Sequence, residues 1–124
     1  MSDYKLPDHE PLLLRIPPTD PWFEPPSRVT SFNFKLRPGH EGLSVYREQI
    51  VSAGDVLTKP NVPEGCYLVT ATVGEVRALT NGKKEPLNLD VVIVADENDP
   101  GHAEIRGRFS NSVAKALKGL FRRV

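Results

Sequence analysis

Seven of the twelve prolines fall in the first 26 residues: Pro7, Pro11, Pro17, Pro18, Pro21, Pro25 and Pro26. Proline fixes φ, removes a backbone donor and pushes the preceding residue toward extended geometry. The arm is therefore expected to be neither a helix nor an inner strand of a sheet. It is also more apolar than a disordered tail, because Leu12, Leu13, Leu14, Ile16, Trp22 and Phe23 interrupt the prolines. LLLRI (12–16) reads as a short strand. PPTDPWFEPP (17–26) reads as an extended strap whose Trp22–Phe23 pair docks on the core. The organisation expected is a proline-rich arm, residues 1–29, packed on a single domain, residues 30–124.

Beyond the arm, periodicity becomes the guide. TSFNFKL (30–36) alternates Phe32, Phe34 and Leu36 with polar residues, the period-2 signature of a half-buried strand. LSVY (43–46) is a brief strand candidate, and REQIVSA (47–53) a short helix with Ser44 near its start. CYLVTATV (66–73) is rich in β-branched and aromatic residues and suits a central strand. GEVRAL (74–79) has helical spacing, and Asn81-Gly82 marks a turn. LDVVIVAD (89–96) is a nearly continuous apolar run, suited to a strand buried on both faces. HAEIRGRF (102–109) is a further strand, and SNSVAKALKGLFRRV (110–124) a closing amphipathic helix. In that helix Val113, Leu117, Leu120, Phe121 and Val124 form the apolar stripe, with N-cap oxygens at Ser110, Asn111 and Ser112. The fold class expected is α+β: a small mixed sheet from 30–36, 66–73, 89–96 and 102–109, with two or three helices.

At 124 residues the chain supports one modest core. Sixteen basic and sixteen acidic residues cancel, so no whole-molecule attraction to nucleic acid or anionic membrane is expected. No apolar run approaches the roughly 18 residues of a membrane helix, and the N-terminus lacks the basic start and apolar core of a signal peptide. Cys66 is the single cysteine, which excludes an intrachain disulfide and fits a reducing cytoplasm. The zero net charge hides two opposed blocks. Residues 85–104 hold Glu85, Asp90, Asp96, Glu97, Asp99 and Glu104 with no Lys or Arg. Residues 105–124 hold Arg106, Arg108, Lys115, Lys118, Arg122 and Arg123 with no acid. The simple expectation is that the blocks complement each other. The sharper one is that Lys115, Lys118, Arg122 and Arg123 meet an acidic protein or a phosphate backbone. No base-stacking aromatic pattern accompanies them.

Two polar clusters are candidates for chemistry. His102 and Glu104 sit two apart on an expected strand and share a face, suiting an acid–base pair or metal ligands. His9 and His40 have no diagnostic spacing to them, so no metal or cofactor is expected. Otherwise His102 caps the strand entry and Glu104 pairs with Arg106. His40, Ser44, Tyr46 and Arg47 follow a Pro-Gly turn, where Arg47 and His40 would hold a carboxylate or phosphate. Cys66 opens an apolar strand and reads as an inert thiol. Phosphate-loop, dinucleotide, zinc-ligand and serine-hydrolase motifs are absent from the sequence.

The segments LLLRIPP, TSFNFKLRPGHEGLSVYRE, TATVGEVRAL and NDPGHAEIRG occur in that order across residues 12–107. In this the chain resembles a group of small uncharacterised bacterial proteins in which LLRRIPP, S-x-x-F…LSV-x-R and NPAHAEI-x-G recur. The resemblance implies a bacterial, cytoplasmic, single-domain protein and carries no activity over. Gly101 stands where that pattern has alanine, and NGKKEPLN lengthens the loop before LDVVIVAD. Arg15, Ser31 on a strand and Glu48 are also similar to small NAD-using ADP-ribosyltransferase-type toxin domains. Those domains are longer, and the glutamate pair many of them use is missing here.

The function expected from these readings is a non-enzymatic binding module, an immunity-type or accessory partner of a neighbouring gene product. Its partner-binding residues would be Trp22, Phe23, Lys115, Lys118, Arg122 and Arg123. Two alternatives stand beside it: a small enzyme acting on NAD or nucleic acid through His102 and Glu104, and nucleic-acid binding by the closing helix.

Overall fold

The computed structural model describes residues 6–16, 23–24, 28–29, 34–35, 41–58, 65–95, 97 and 99–124. Its centre is a six-stranded sheet built from β1 (Pro11–Ile16), β4 (Leu43–Arg47), β5 (Tyr67–Thr72), β6 (Asp90–Ile93), β7 (His102–Arg106) and β8 (Arg122–Arg123). The strand order is β6-β7-β4-β1-β5-β8 and every pairing is antiparallel. A separate two-stranded sheet pairs β2 (Phe23–Glu24) with β3 (Arg28–Val29). Three helices complete the fold: α1 (Ala53–Leu57), α2 (Val73–Arg77) and α3 (Asn111–Leu120). The class is α+β, with an antiparallel sheet where a mixed one was expected.

The largest departure from the sequence reading is β1. It is an inner strand, with Leu13 opposite both Tyr46 of β4 and Thr70 of β5. The prolines permit this because they flank the strand rather than interrupt it. Pro11 is its first residue and Pro17 follows its last, so residues 12 to 16 keep every ladder donor. Pro11 still accepts, from the Glu48 backbone N–H at 3.2 Å.

Alternation along the strands gives the sheet two unlike faces. On the first face Leu12, Leu14 and Ile16 of β1 pack with Leu43, Val45, Val69, Ala71, Val91, Ala103 and Ile105. Val73 and Val76 of α2, and Val113, Ala114 and Leu117 of α3, close over them. Phe34 is fully buried there, 5.5 Å from the Phe121 ring. On the second face a smaller cluster of Leu13, Tyr46, Val51, Val56 and Leu68 packs under the five-residue α1.

Local chemistry explains the short helices. Ser52 accepts from the Asp55 N–H while Asp55 accepts from the Ser52 N–H, a capping box that starts α1. That cap places the helix at 53–57 rather than 47–53; Arg47 ends a strand and residues 48–50 turn. Thr72 and Glu75 repeat the box at the junction of β5 and α2, so strand passes into helix without a loop. The turn after α2 is closed by Asn81 Oδ1, which accepts from the Lys83 and Glu85 N–H groups.

Three further expectations are corrected. β6 spans only 90–93 and lies at the sheet edge: Val91 is buried but Ile93 is 37% exposed. A continuous apolar run marks a strand without telling an edge from a centre. β7 ends at Arg106 because Gly107 turns away at φ +155°, where a Cβ would meet Leu89 Cδ2 at 2.7 Å. The closing helix stops at Leu120. Phe121 turns extended, and Arg122–Arg123 pair with β5 as β8, which leaves Val124 outside the buried stripe. The strand expected over 30–36 falls mostly outside the described residues, and Phe34–Lys35 are not part of a strand. No helix among the described residues is long and apolar enough to cross a membrane.

Candidate functional site

The polar groups of the second face collect on β7, β4 and β1, three adjacent strands. Tyr46 lies directly opposite His102, and Ser44 opposite Glu104. His102 Nε2 and Ser44 Oγ share a hydrogen bond at 3.0 Å. The His102 ring leans on Tyr46 with centroids 5.8 Å apart, and Arg15 of β1 holds its guanidinium 5.7 Å from the Tyr46 centroid. Ser44 is exposed at the middle of this patch. Glu104 Oε1 accepts from both Nε and Nη2 of Arg106, at 3.0 and 2.9 Å. The simple expectation for Glu104 is thus realised, and it ties the acidic block to the basic one.

Arg47 is placed differently. It shares strand parity with Leu43 and Val45, so it projects to the first face, opposite His102. Its fork is filled by this chain's own Glu10: Nε to Oε2 at 2.9 Å and Nη2 to Oε1 at 2.8 Å. Glu10 is 0% exposed and Arg47 13%, so this is a buried, bidentate ion pair joining the start of β1 to the end of β4. The sequence reading gave Arg47 a carboxylate or phosphate of a bound molecule; in the structure its fork holds the chain's own Glu10. His102 and Arg47 therefore do not converge, and His40 lies outside the described residues.

Arg77 and Arg122 are also engaged. Arg77 donates from Nε to Asp90 at 2.8 Å and from Nη1 to Asp8 at 2.8 Å and the Leu6 carbonyl at 2.6 Å. The Asp90 hydrogen bond, then that of Asp8, raises its pKa above the ordinary arginine value. Arg122 meets Glu75 at 3.3 Å. Glu75 is held below the usual glutamate range, first by the Thr72 backbone N–H, then by the Thr72 hydroxyl and Arg122, against the opposing effect of burial. Asp90 of the acidic block and Arg122 of the basic block thus pair with residues outside both blocks.

Arg15 stands apart. Its guanidinium reaches only the Val56 carbonyl, at 3.5 Å, and it carries no ion pair among the described residues. A cation inside the apolar run LLLRI was the sequence signal for it, and the partner set drawn from the sequence did not include it. Of that set, Lys115 is exposed and Lys118 half-buried on α3, while Arg122 and Arg123 are exposed on β8 rather than on the helix. Phe23 belongs to β2, and Trp22 is outside the described residues. No three His, Cys, Asp or Glu side chains of the described residues gather as a metal site. A shallow groove of about 380 Å³, lined by Pro86, Leu87, Asn88, Arg108, Ser110 and Val113, shares no residue with the patch.

No protein-family model matches the chain, and no curated protein or solved structure does either.

Proposed function

We propose that this chain is a non-enzymatic binding module working with a protein partner in the cytoplasm, in the manner of an immunity-type or accessory protein. The observation that carries the reading is the second face of the sheet. There the exposed Ser44 and half-buried His102 side chains form a polar patch beside the buried Tyr46 and the small apolar cluster it belongs to, and Arg47, the other candidate for chemistry, faces away from it. The single cysteine Cys66 and the lack of a membrane-crossing helix among the described residues agree with a cytoplasmic setting.

The test is a photo-crosslinking amino acid placed at Ser44 of the full chain in living cells. A discrete protein adduct from position 44, and none from the exposed Asn111 at the start of α3, is the expected result. Absence of any adduct at 44 would sink the reading.

The alternative, an enzyme on NAD or nucleic acid through His102 and Glu104, draws support from the 3.0 Å bond between His102 and Ser44. A thermal-shift screen with nucleotides, divalent metals and short nucleic acids separates the two. A ligand at about a hundred times its Kd adds about 2.7 kcal/mol to stability, a shift of several degrees for a domain of this size. A shift lost in His102→Ala would favour the enzyme. Nucleic-acid binding through Lys115, Lys118, Arg122 and Arg123 would instead show affinity falling steeply with salt.

A further inference from the structure

We infer that Arg15 is the anchor of this surface and that what it grips is a carboxylate on an acidic segment of the partner. The inference rests on reading the chain as a protein-binding module. Arg47, Arg77, Arg106 and Arg122 each meet a carboxylate of this chain. Arg15, on an inner strand, meets none among the described residues, where its hydrogen bond to the Val56 carbonyl is long at 3.5 Å. Setting a cation in the middle of a sheet costs desolvation that a carboxylate would offset.

The guanidinium lies over the Tyr46 ring, and the neighbouring Ser44 hydroxyl and His102 imidazole are half-buried or exposed. A guanidinium is a planar fork of N–H donors that matches a carboxylate bidentately, and in Arg15 only Nη1 has an acceptor among the described residues, the Val56 carbonyl. A dianion is less suited, because Glu104 lies directly across from Ser44 on β7. The same fork-to-carboxylate geometry is already made once in this fold, between Arg47 and Glu10.

The probe is a fluorescein-labelled hexaglutamate peptide, followed by fluorescence anisotropy with the full chain at low salt. Arg15→Met keeps the apolar stem on Tyr46 and removes the fork, and it should weaken binding about tenfold or more. Arg15→Lys should lose most of that affinity, since a point charge cannot replace the fork. Arg108→Gln, an exposed cation lining the separate groove, should change affinity by no more than about twofold. No binding by wild type, or equal loss in Arg15→Met and Arg108→Gln, would overturn the inference. Displacement by inorganic phosphate, at an ionic strength where chloride has no effect, would overturn the carboxylate assignment in favour of a phosphate group. If Arg15→Met does not fold, the wild-type Arg15 Nε–H resonance decides: it moves on titration with the peptide, or the anchor is wrong. A position-44 crosslink that survives unchanged in Arg15→Met would remove the anchor and leave the binding module standing.

Discussion

The two faces of the sheet are built from the same strands and stabilised very differently. The first buries Leu12, Leu14 and Ile16 under α2, α3, Phe34 and Phe121. Among the described residues the second has a smaller cluster, Leu13, Tyr46, Val51 and Leu68 with Val56 of one short helix, and then gives way to polar side chains. A residue on β1 thus changes its energetic role with each step along the chain: Leu12 to the main core, Leu13 to the small cluster, Arg15 to the patch. Burial on one face makes the fold, and incomplete burial on the other leaves the surface that we read as functional.

The contrast can be broken by truncation. Leu12→Ala should cost about 3–5 kcal/mol, because the closely packed first face relaxes little around the cavity. Leu68→Ala on the second face should cost nearer 2 kcal/mol, at the lower end for such deletions. Urea denaturation of both variants checks this, and equal costs would abolish the distinction. Glu10→Ala comes next, at about 3 kcal/mol, since it leaves the Arg47 guanidinium largely buried without its carboxylate. The same denaturation series measures it.

Gly101→Ala probes the second face from the other side. A Cβ there would lie 2.6 Å from Val51 Cγ2, so the small cluster must shift, at about 1–3 kcal/mol. Val51→Ala should relieve most of that cost in the double mutant, and a thermal-denaturation cycle measures the coupling.

The smallest effect concerns Glu75, which links Thr72 to Arg122 at the β8 end of the sheet. Its pKa is lowered, so its ionised form stabilises the fold above the unfolded value of about 4.3, and that contribution fades as pH falls through the folded value. Glu75 is more than a third exposed, so screening limits the gain. Glu75→Gln should cost a few tenths of a kcal/mol at pH 7 and nothing measurable near pH 2, by chemical denaturation at both pH values.

The sequence by itself determined where most elements lie and which way their side chains alternate. CYLVTATV and LSVY became β5 and β4, HAEIRGRF supplied β7 over its first five residues, GEVRAL overlapped α2, and the Ser110 cap started α3 as its hydroxyl required. His102 and Glu104 share a face for the same reason, because period 2 is a property of the local backbone. Only the tertiary structure decided which strands are neighbours. It put the proline-flanked β1 at the centre, the apolar β6 at the edge and the end of the basic tail into β8. It also chose Glu10 for Arg47 across 37 residues and, among the described residues, left Arg15 with no such partner. Local sequence encodes conformation and the face of each side chain. Which distant backbone or carboxylate meets that face depends on how the whole core closes, and no short window of sequence carries that choice.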